Sequence, residues 1–418
     1  MTVPAAPRRA LPILLFTVFI DIMGFGIMIP IIPILLADPK SPFFLLPPGM
    51  TVRQGYMLLG CLAASFAFMQ FLAAPVFGQL SDRYGRKKIL AITRAGTSVS
   101  YFLFALGIVW KNLPLLFAAR ALDGATGGVV AVAQAAIADL TDPGKRVRRF
   151  ALLSAAFGLG FIGGPLLGGK LSDPSLVPWF NATTPFWVAG LLALANTLFI
   201  SLFLPETLAA PAAARGAIRW DQSWRNVLQA FSHPSLGVLF LTAFLYHAGF
   251  SFYASFASVF MINRFGFNQG HIGDYFAFLG GVGLLTQLVV VRRLALVWPP
   301  QRILRVMFWL AGAFMFLASL AAVWWIFVGI MFLFAVSSNL IQTNSTGLIS
   351  SSAGGAVQGE VMGISSSLAS LAMGITPLLS GFLAAGVSPE APLRVAAVLM
   401  FGAALIFARK FGIASNPG

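Results

Sequence analysis

Charge is what this sequence has least of. Only 9% of its 418 residues are Asp, Glu, Lys or Arg, and just 12 residues are acidic. A soluble domain carries about 25% charged residues, so a water-exposed globule of this size is excluded. Cysteine occurs once, as Cys61, which rules out an intramolecular disulfide and a cysteine metal cage. Cys61 lies in an apolar run and reads as a small packing residue. With three histidines and no clustered acids, no metal site is expected. The chain also lacks a phosphate-binding Gly-rich loop, so ATP is not the expected energy source. No enzyme constellation and no cofactor are expected.

What is there is hydrocarbon: 58% of residues are hydrophobic and the mean hydropathy is +0.88. Apolar runs of about 20 residues, each able to cross a bilayer, recur along the chain. They must be helices, since lipid offers backbone amides no partner. Twelve spans are predicted, at 10–37, 53–80, 89–110, 113–140, 147–171, 183–204, 233–264, 270–297, 302–320, 323–350, 357–386 and 391–409. The fold class is therefore an all-α integral membrane protein. The first span follows Arg8-Arg9 like a secretory signal, but it is too long to be a cleaved one and reads as an uncleaved helix.

The formal net charge is +15, and placement explains it. Arg8, Arg9, the groups at 83–94, 145–149 and 292–305, Arg215, Arg219, Arg225, Arg409 and Lys410 fall on one side of a twelve-span topology. By the positive-inside rule that side is the cytoplasm, with both termini in it. No nucleic-acid partner is needed to account for the basicity.

The segment from Pro205 to about His233 is polar and Ala/Pro-rich. It divides the chain into an N-terminal six-helix half (1–206), a linker (207–232) with a surface helix around Trp220–Phe231, and a C-terminal half (233–418). The halves carry a faint repeat. Gly164-Pro165-Leu-Leu-Gly-Gly169 recurs as Thr376-Pro377-Leu-Leu-Ser-Gly381, and loop 78–90 has a decayed counterpart at 292–304, with Leu296 where Asp82 stands. Two pseudo-symmetric six-helix halves are a transporter architecture.

Four groups of residues stand out as candidates. Gly78-Gln-Leu-Ser-Asp82-Arg83-Tyr-Gly85-Arg86-Lys87-Lys88 is a charged turn between two apolar spans. Asp21 lies well inside the first span, where a carboxylate costs roughly 2.5–3.5 kcal/mol on insertion scales. It serves a proton or a cavity, or else a structural hydrogen bond. In the fourth span Arg120, Asp123, Gly124, Gly127, Ala131 and Gln134 share one helical face. Arg120 and Asp123 are spaced to pair, for coupling or as a static bridge. In the fifth span Gly160, Gly164 and Gly168 form a ridge that admits another helix closely, next to the helix-bending Pro165.

The C-terminal half offers neutral groups: Tyr246, His247, Phe250 and Tyr253 at helical spacing, and Asn339, Gln342 and Asn344 at membrane depth. They read as a ligand surface or as packing. Asp274, near the end of the eighth span, reads as a solvated acid.

The loop's spacing G-x-L-x-D-R-x-G-R-K-K, the Arg120-x-x-x-Gly124 stripe, the glycine ridge with Pro165 and the Ala138-Asp139 end of the fourth span together resemble the major facilitator superfamily. Within it, the chain looks most like the drug/proton antiporters of the tetracycline-efflux type. Ser100 and Thr286 stand where that group has an acid and a histidine, and apolar residues surround Trp309-Leu310 where it has another acid.

The resemblance implies a proton-coupling role for Arg120; burial of charge adds Asp21 and Asp123, and the polar and aromatic groups at membrane depth make Gln134, Tyr246, His247, Phe250, Tyr253, Asn339 and Gln342 the expected substrate contacts. The resemblance also implies a gate of Gly78, Asp82, Arg83, Gly85, Arg86, Asp139 and Glu360, in which Arg86 meets Asp139. Asp82 is expected to cap the eleventh helix near Gly355–Glu360. The expected protein is a monomeric exporter of an amphipathic or cationic organic compound in exchange for protons, in the inner membrane of a bacterium. Transport of a defined metabolite, or a non-transporting receptor on the same fold, are the rivals. Asp21 and Asp123 are expected to face a shared central cavity.

Overall fold

The structure is a computed structural model of the chain and describes residues 9–141, 146–208, 218–230, 236–352 and 358–411. Arg8, Lys145, Arg215, linker residues 209–217 and 231–232, and the segment at Gly355 lie outside the described residues. Among the described residues, twelve helices are long and apolar enough to cross a membrane. They are α1 (Ala10–Leu36), α2 (Val52–Tyr84), α3 (Arg86–Val109), α4 (Leu113–Asp139), α5 (Arg149–Leu171) and α6 (Thr184–Phe203). The remaining six are α7 (Gly237–Phe265), α8 (Gln269–Ala295), α9 (Pro300–Leu320), α10 (Trp324–Ser352), α11 (Glu360–Gly386) and α12 (Ala391–Phe411). A short linker helix, Gln222–Gln229, lies between α6 and α7.

Local chemistry sets the ends. Thr51 and Gln54 form a reciprocal capping box at the start of α2. Asn112 and Asn268 accept from the backbone amides of Leu115 and His271 to start α4 and α8. Gly266, left-handed at φ 68°, ends α7. The fourth span is two helical pieces, Leu113–Ala125 and Val129–Asp139, joined by a turn at 126–128. The expected unbroken polar stripe is therefore divided: Arg120 and Asp123 are buried, while Gln134 beyond the break is exposed. In the linker, the Arg225 Nε–H donates to Asp221 Oδ2 at 2.5 Å. That bond holds the Asp221 carboxyl below its ordinary value. This surface pair persists above that lowered value and is lost as pH falls through it.

Large apolar side chains point outward, among them Leu202 (72% exposed) and Leu285 (64%). That is a surface for lipid rather than water. Inside, one core lies among the last six helices around Phe308, Phe334 and Met400. Two more lie mainly among the first six, around Ile31, Phe104 and Phe186 and around Leu14, Val132 and Leu204.

The glycine ridge of α5 packs on α1. A β-carbon at Gly164 would lie 2.5 Å from the Met23 carbonyl oxygen and 2.8 Å from the Gly26 Cα. At Gly168 it would lie 2.5 Å from the Ile27 carbonyl oxygen, and at Gly160 2.8 Å from that of Phe19.

Two further seams, α2 with α11 and α5 with α8, join the first six helices to the last six. Both tighten at the face opposite the charged loop. A β-carbon at Gly60 would lie 2.5 Å from the Pro377 carbonyl oxygen, and one at Gly273 would lie 2.5 Å from that of Pro165. At the same face Lys170 Nζ bridges to Asp274 Oδ2 at 2.8 Å, so Asp274 is not merely solvated, and Tyr56 Oη donates to Asn263 Oδ1 at 3.1 Å. Toward the loop face the seams loosen: at Gly158 the first neighbour is Leu284 at 3.7 Å, and at Gly374 it is Phe68 at 3.8 Å.

This geometry predicts opposite signs for two glycines of one helix. Gly273→Ala should destabilise by roughly 1–3 kcal/mol, because the methyl meets rigid α5 backbone. At Gly281 a β-carbon meets nothing within 4 Å. There Ala should be neutral or stabilising by up to about 1 kcal/mol through helix propensity. Thermal unfolding in detergent distinguishes them.

Candidate functional site

A charge at spanning depth persists only with a partner or with water. Each of the two acids has a partner. Asp21 Oδ1 on α1 accepts from Arg94 Nη1 on α3 at 2.6 Å. Asp123 Oδ2 accepts from Arg120 Nη1 at 3.1 Å within α4. The carboxylates therefore do not stand open to a cavity as expected: the Arg94 side chain is fully buried, that of Asp21 is 16% exposed and that of Asp123 only 7%.

Neighbouring groups hold both pairs in place. The Arg120 guanidinium lies 4.3 Å from the centre of the Phe66 ring on α2 and 2.6 Å from Met28 Sδ on α1. Its positive charge over the ring face is favourable. Thr97 and Thr126 share a hydrogen bond of 3.3 Å that ties α3 to α4. Tyr101, buried on α3, lies within electrostatic reach of Asp21, Asp123, Arg94 and Arg120. It fits because α1 has glycine at 24, where a β-carbon would collide with the phenol. Among the described residues, Arg94 Nε and Nη2 and Arg120 Nε meet no acceptor.

Arg94 is the residue that sequence reasoning misplaced. Within the predicted span 89–110 it is counted with the cytoplasmic cations at 83–94, whereas the structure buries it in α3 against Asp21. The signal was present: Thr93, Arg94, Thr97, Ser98 and Ser100 put polar groups at three- and four-residue spacing on an otherwise apolar helix.

At the loop, Arg86 is a buried hub. Its Nε–H donates to Asp139 Oδ2 at 2.9 Å, Nη1 to Ser81 Oγ at 2.6 Å, and Nη2 pairs with Asp82 Oδ1 at 2.6 Å. The turn requires glycine, since Gly85 has φ 95°. The Arg86–Asp139 contact is the one that the resemblance implies. Asp82 pairs with Arg86 four residues on; the start of α11 at Gly355, which it is expected to cap, lies outside the described residues. Glu206, read only as part of a linker, closes the cluster. Its carboxylate accepts from the backbone N–H of Arg86 at 2.9 Å and of Lys87 at 3.3 Å, neutralising the start of α3. Arg83 and Glu360 are also engaged. A β-carbon at Gly78 would meet nothing within 4 Å.

The aromatic stripe of α7 is mostly core. Tyr246 and Tyr253 are 4% and 2% exposed. Tyr246 bonds Ser338, and the Tyr253 hydroxyl shares a 2.7 Å hydrogen bond with that of Tyr275. Burial of an aromatic face between α7, α8 and α10 leaves these rings to packing. His247 and Phe250 stay partly exposed. Asn339 and Asn344 donate to carbonyls one turn back in α10, from Ala335 and Leu340. Gln342 is exposed, as is Gln287, which accepts from Thr343 at 3.0 Å.

Twelve spanning helices with an apolar outer surface, two ion pairs buried among them and two seams graded from tight to loose make a membrane transporter fold. The chain belongs to the Major Facilitator Superfamily, whose profile matches residues 14–364; it is a multi-pass membrane transporter. It is 30% identical over 377 residues to the class H tetracycline resistance protein of Pasteurella multocida, covering 90% of this chain and 89% of that one. To major facilitator superfamily domain-containing protein 10 of Mus musculus it is 26% identical over 411 residues, covering 90% and 87%. The crystal structure of the human organic anion transporter MFSD10 superposes with a TM-score of 0.70 at 24% identity, covering 96% and 99%.

Breaking a buried pair by removing one partner costs about 3–5 kcal/mol. Arg94→Gln should therefore lower the thermal stability of the purified protein by that order, and adding Asp21→Asn should return most of it. A double-variant loss equal to the sum of the losses in Arg94→Gln and Asp21→Asn alone means that the two residues are not energetically coupled.

Proposed function

We propose that this chain is a proton-coupled antiporter that exports an amphipathic or cationic organic compound. In this reading it works as a monomer in a bacterial inner membrane, with both termini in the cytoplasm and the charged loop on the cytoplasmic face. The observation that carries the reading is the pair of ion bridges, Asp21–Arg94 and Arg120–Asp123, buried in α1, α3 and α4. A proton on either carboxylate removes the counter-charge of a buried guanidinium. The arrangement that leaves that cation dry then loses stability relative to one that hydrates it. Proton occupancy thus biases alternating access, with residues 1–206 rocking against 233–418 about the graded seams.

In this structure the seams are tight opposite the loop and looser beside it, which suits an arrangement open toward the cytoplasm. Closure of the loop face would bring Asp82, 55% exposed here, toward the first turn of α11 at Glu360. Gln134, His247, Phe250, Asn339 and Gln342 are the substrate contacts in this reading. The tetracycline-resistance relatives support efflux.

A second reading, an organic anion as the substrate, is favoured by the N–H groups of Arg94 and Arg120 that no acceptor uses and by the likeness to MFSD10. The two readings have opposite pH signs. Protonating Asp21 or Asp123 removes a site for a cation, so cation affinity should fall as pH drops. The same step frees an arginine, so anion affinity should rise.

Proteoliposomes with an imposed proton gradient, given a panel of organic cations and anions, test both. Asp21→Asn and Asp123→Asn should each abolish substrate-driven proton movement while the protein stays folded. Full coupled flux in both single variants would end the assignment.

A further inference from the structure

The linker leaves three large apolar side chains uncovered. Trp220 is 70% exposed, Trp224 44% and Leu228 66%. Spaced by four, they share one face of the helix Gln222–Gln229 and its lead-in. This helix cannot roll to hide them, because its other face is fastened to two spanning helices. Ser223 Oγ donates to the Phe71 carbonyl of α2 at 2.5 Å, and Asn226 Nδ2 donates to Ser367 Oγ of α11 at 3.0 Å. The Gln79 side-chain amide exchanges hydrogen bonds of 3.1 and 2.8 Å with the backbone of Arg219. The Trp224 ring stands edge-on to Phe71 at 5.2 Å.

These contacts also set depth. Gln79 and Phe71 lie about 7 and about 20 Å along α2 from its end at Tyr84, at 1.5 Å per residue. The linker therefore climbs beside the spanning part of α2, with Arg219 nearer the helix end and Ser223 deeper. Arg219 and Arg225 are exposed beside the linker's apolar face. Tryptophan favours the boundary between headgroups and acyl chains, and an apolar helix face flanked by arginine favours an anionic bilayer surface.

We propose that the linker helix is seated in the membrane interface, with Trp220, Trp224 and Leu228 among acyl chains and Arg219 and Arg225 against the phosphates of anionic phospholipid. The bilayer, rather than a second protein, is the occupant because the contacts seat this apolar face beside a spanning helix, and its charges, Arg219 with the Arg225–Asp221 pair, leave a net positive charge. Since the fastened face touches α2 and α11, the lipid seat bears on the seam between them.

The test uses the full chain in nanodiscs, in a Cys61→Ser background with Leu228→Cys carrying an environment-sensitive fluorophore. The emission should shift to the blue relative to a label at Lys40→Cys. A minority of brominated phosphatidylglycerol should quench it more than the same fraction of brominated phosphatidylcholine. Adding Arg219→Gln and Arg225→Gln should equalise the two lipids without removing the quenching. A label at Trp220→Cys reads the same face if the first site labels poorly. Quenching by aqueous iodide but not by brominated chains overturns the proposal. So does equal quenching by the two lipids with both arginines present, or shielding that appears only when a soluble protein is added.

Discussion

Hydrocarbon solvates neither a charge nor an amide, and this structure is arranged around that constraint. Backbone groups are satisfied within helices. The charges that enter the spanning region do so as partners: Asp21 with Arg94, and Arg120 with Asp123. Each pair is strong only because its surroundings are dry, and for the same reason each is sensitive to a single proton. Tyr101 of α3 packs against Gly24 of α1, the helix that carries Asp21.

Lipid also removes the usual hydrophobic drive for one helix to join another. Close packing has to supply it, which explains why the seams are written in glycine. At Gly164, Gly168, Gly60 and Gly273 a single methyl would press on the backbone of the neighbouring helix. Such contacts are short-ranged, so each seam holds the first six helices firmly to the last six at one face and less closely toward the other. The linker helix bridges α2 and α11 across one of these seams.

The charged loop does a different task. Arg86 gathers Asp82, Ser81 and Asp139, while Glu206 accepts from the first amides of α3. These bonds fasten the ends of α2, α3, α4 and α6 to one another. They hold the first six helices as one unit at this face, and none of them reaches the last six.

Sequence alone determined a great deal here. Span length and hydropathy gave twelve helices, because a bilayer sets a minimum run and forbids other backbone. Glycine spacing gave the face of α5 that meets another helix. The loop, the stripe and the ridge gave the family. Pairings across space were not legible. Asp21 and Arg94 are 73 positions apart on helices whose mutual rotation no local period encodes. Arg94, close to a basic loop, read as one of its cations. Tyr246 and Tyr253 carried the same spacing whether they faced a ligand or a core; neighbouring helices decided for the core. Glu206 read as linker because its partners are amides, which have no residue type to recognise. Composition and periodicity settle what each helix must be, but only tertiary packing settles which side chain each one meets.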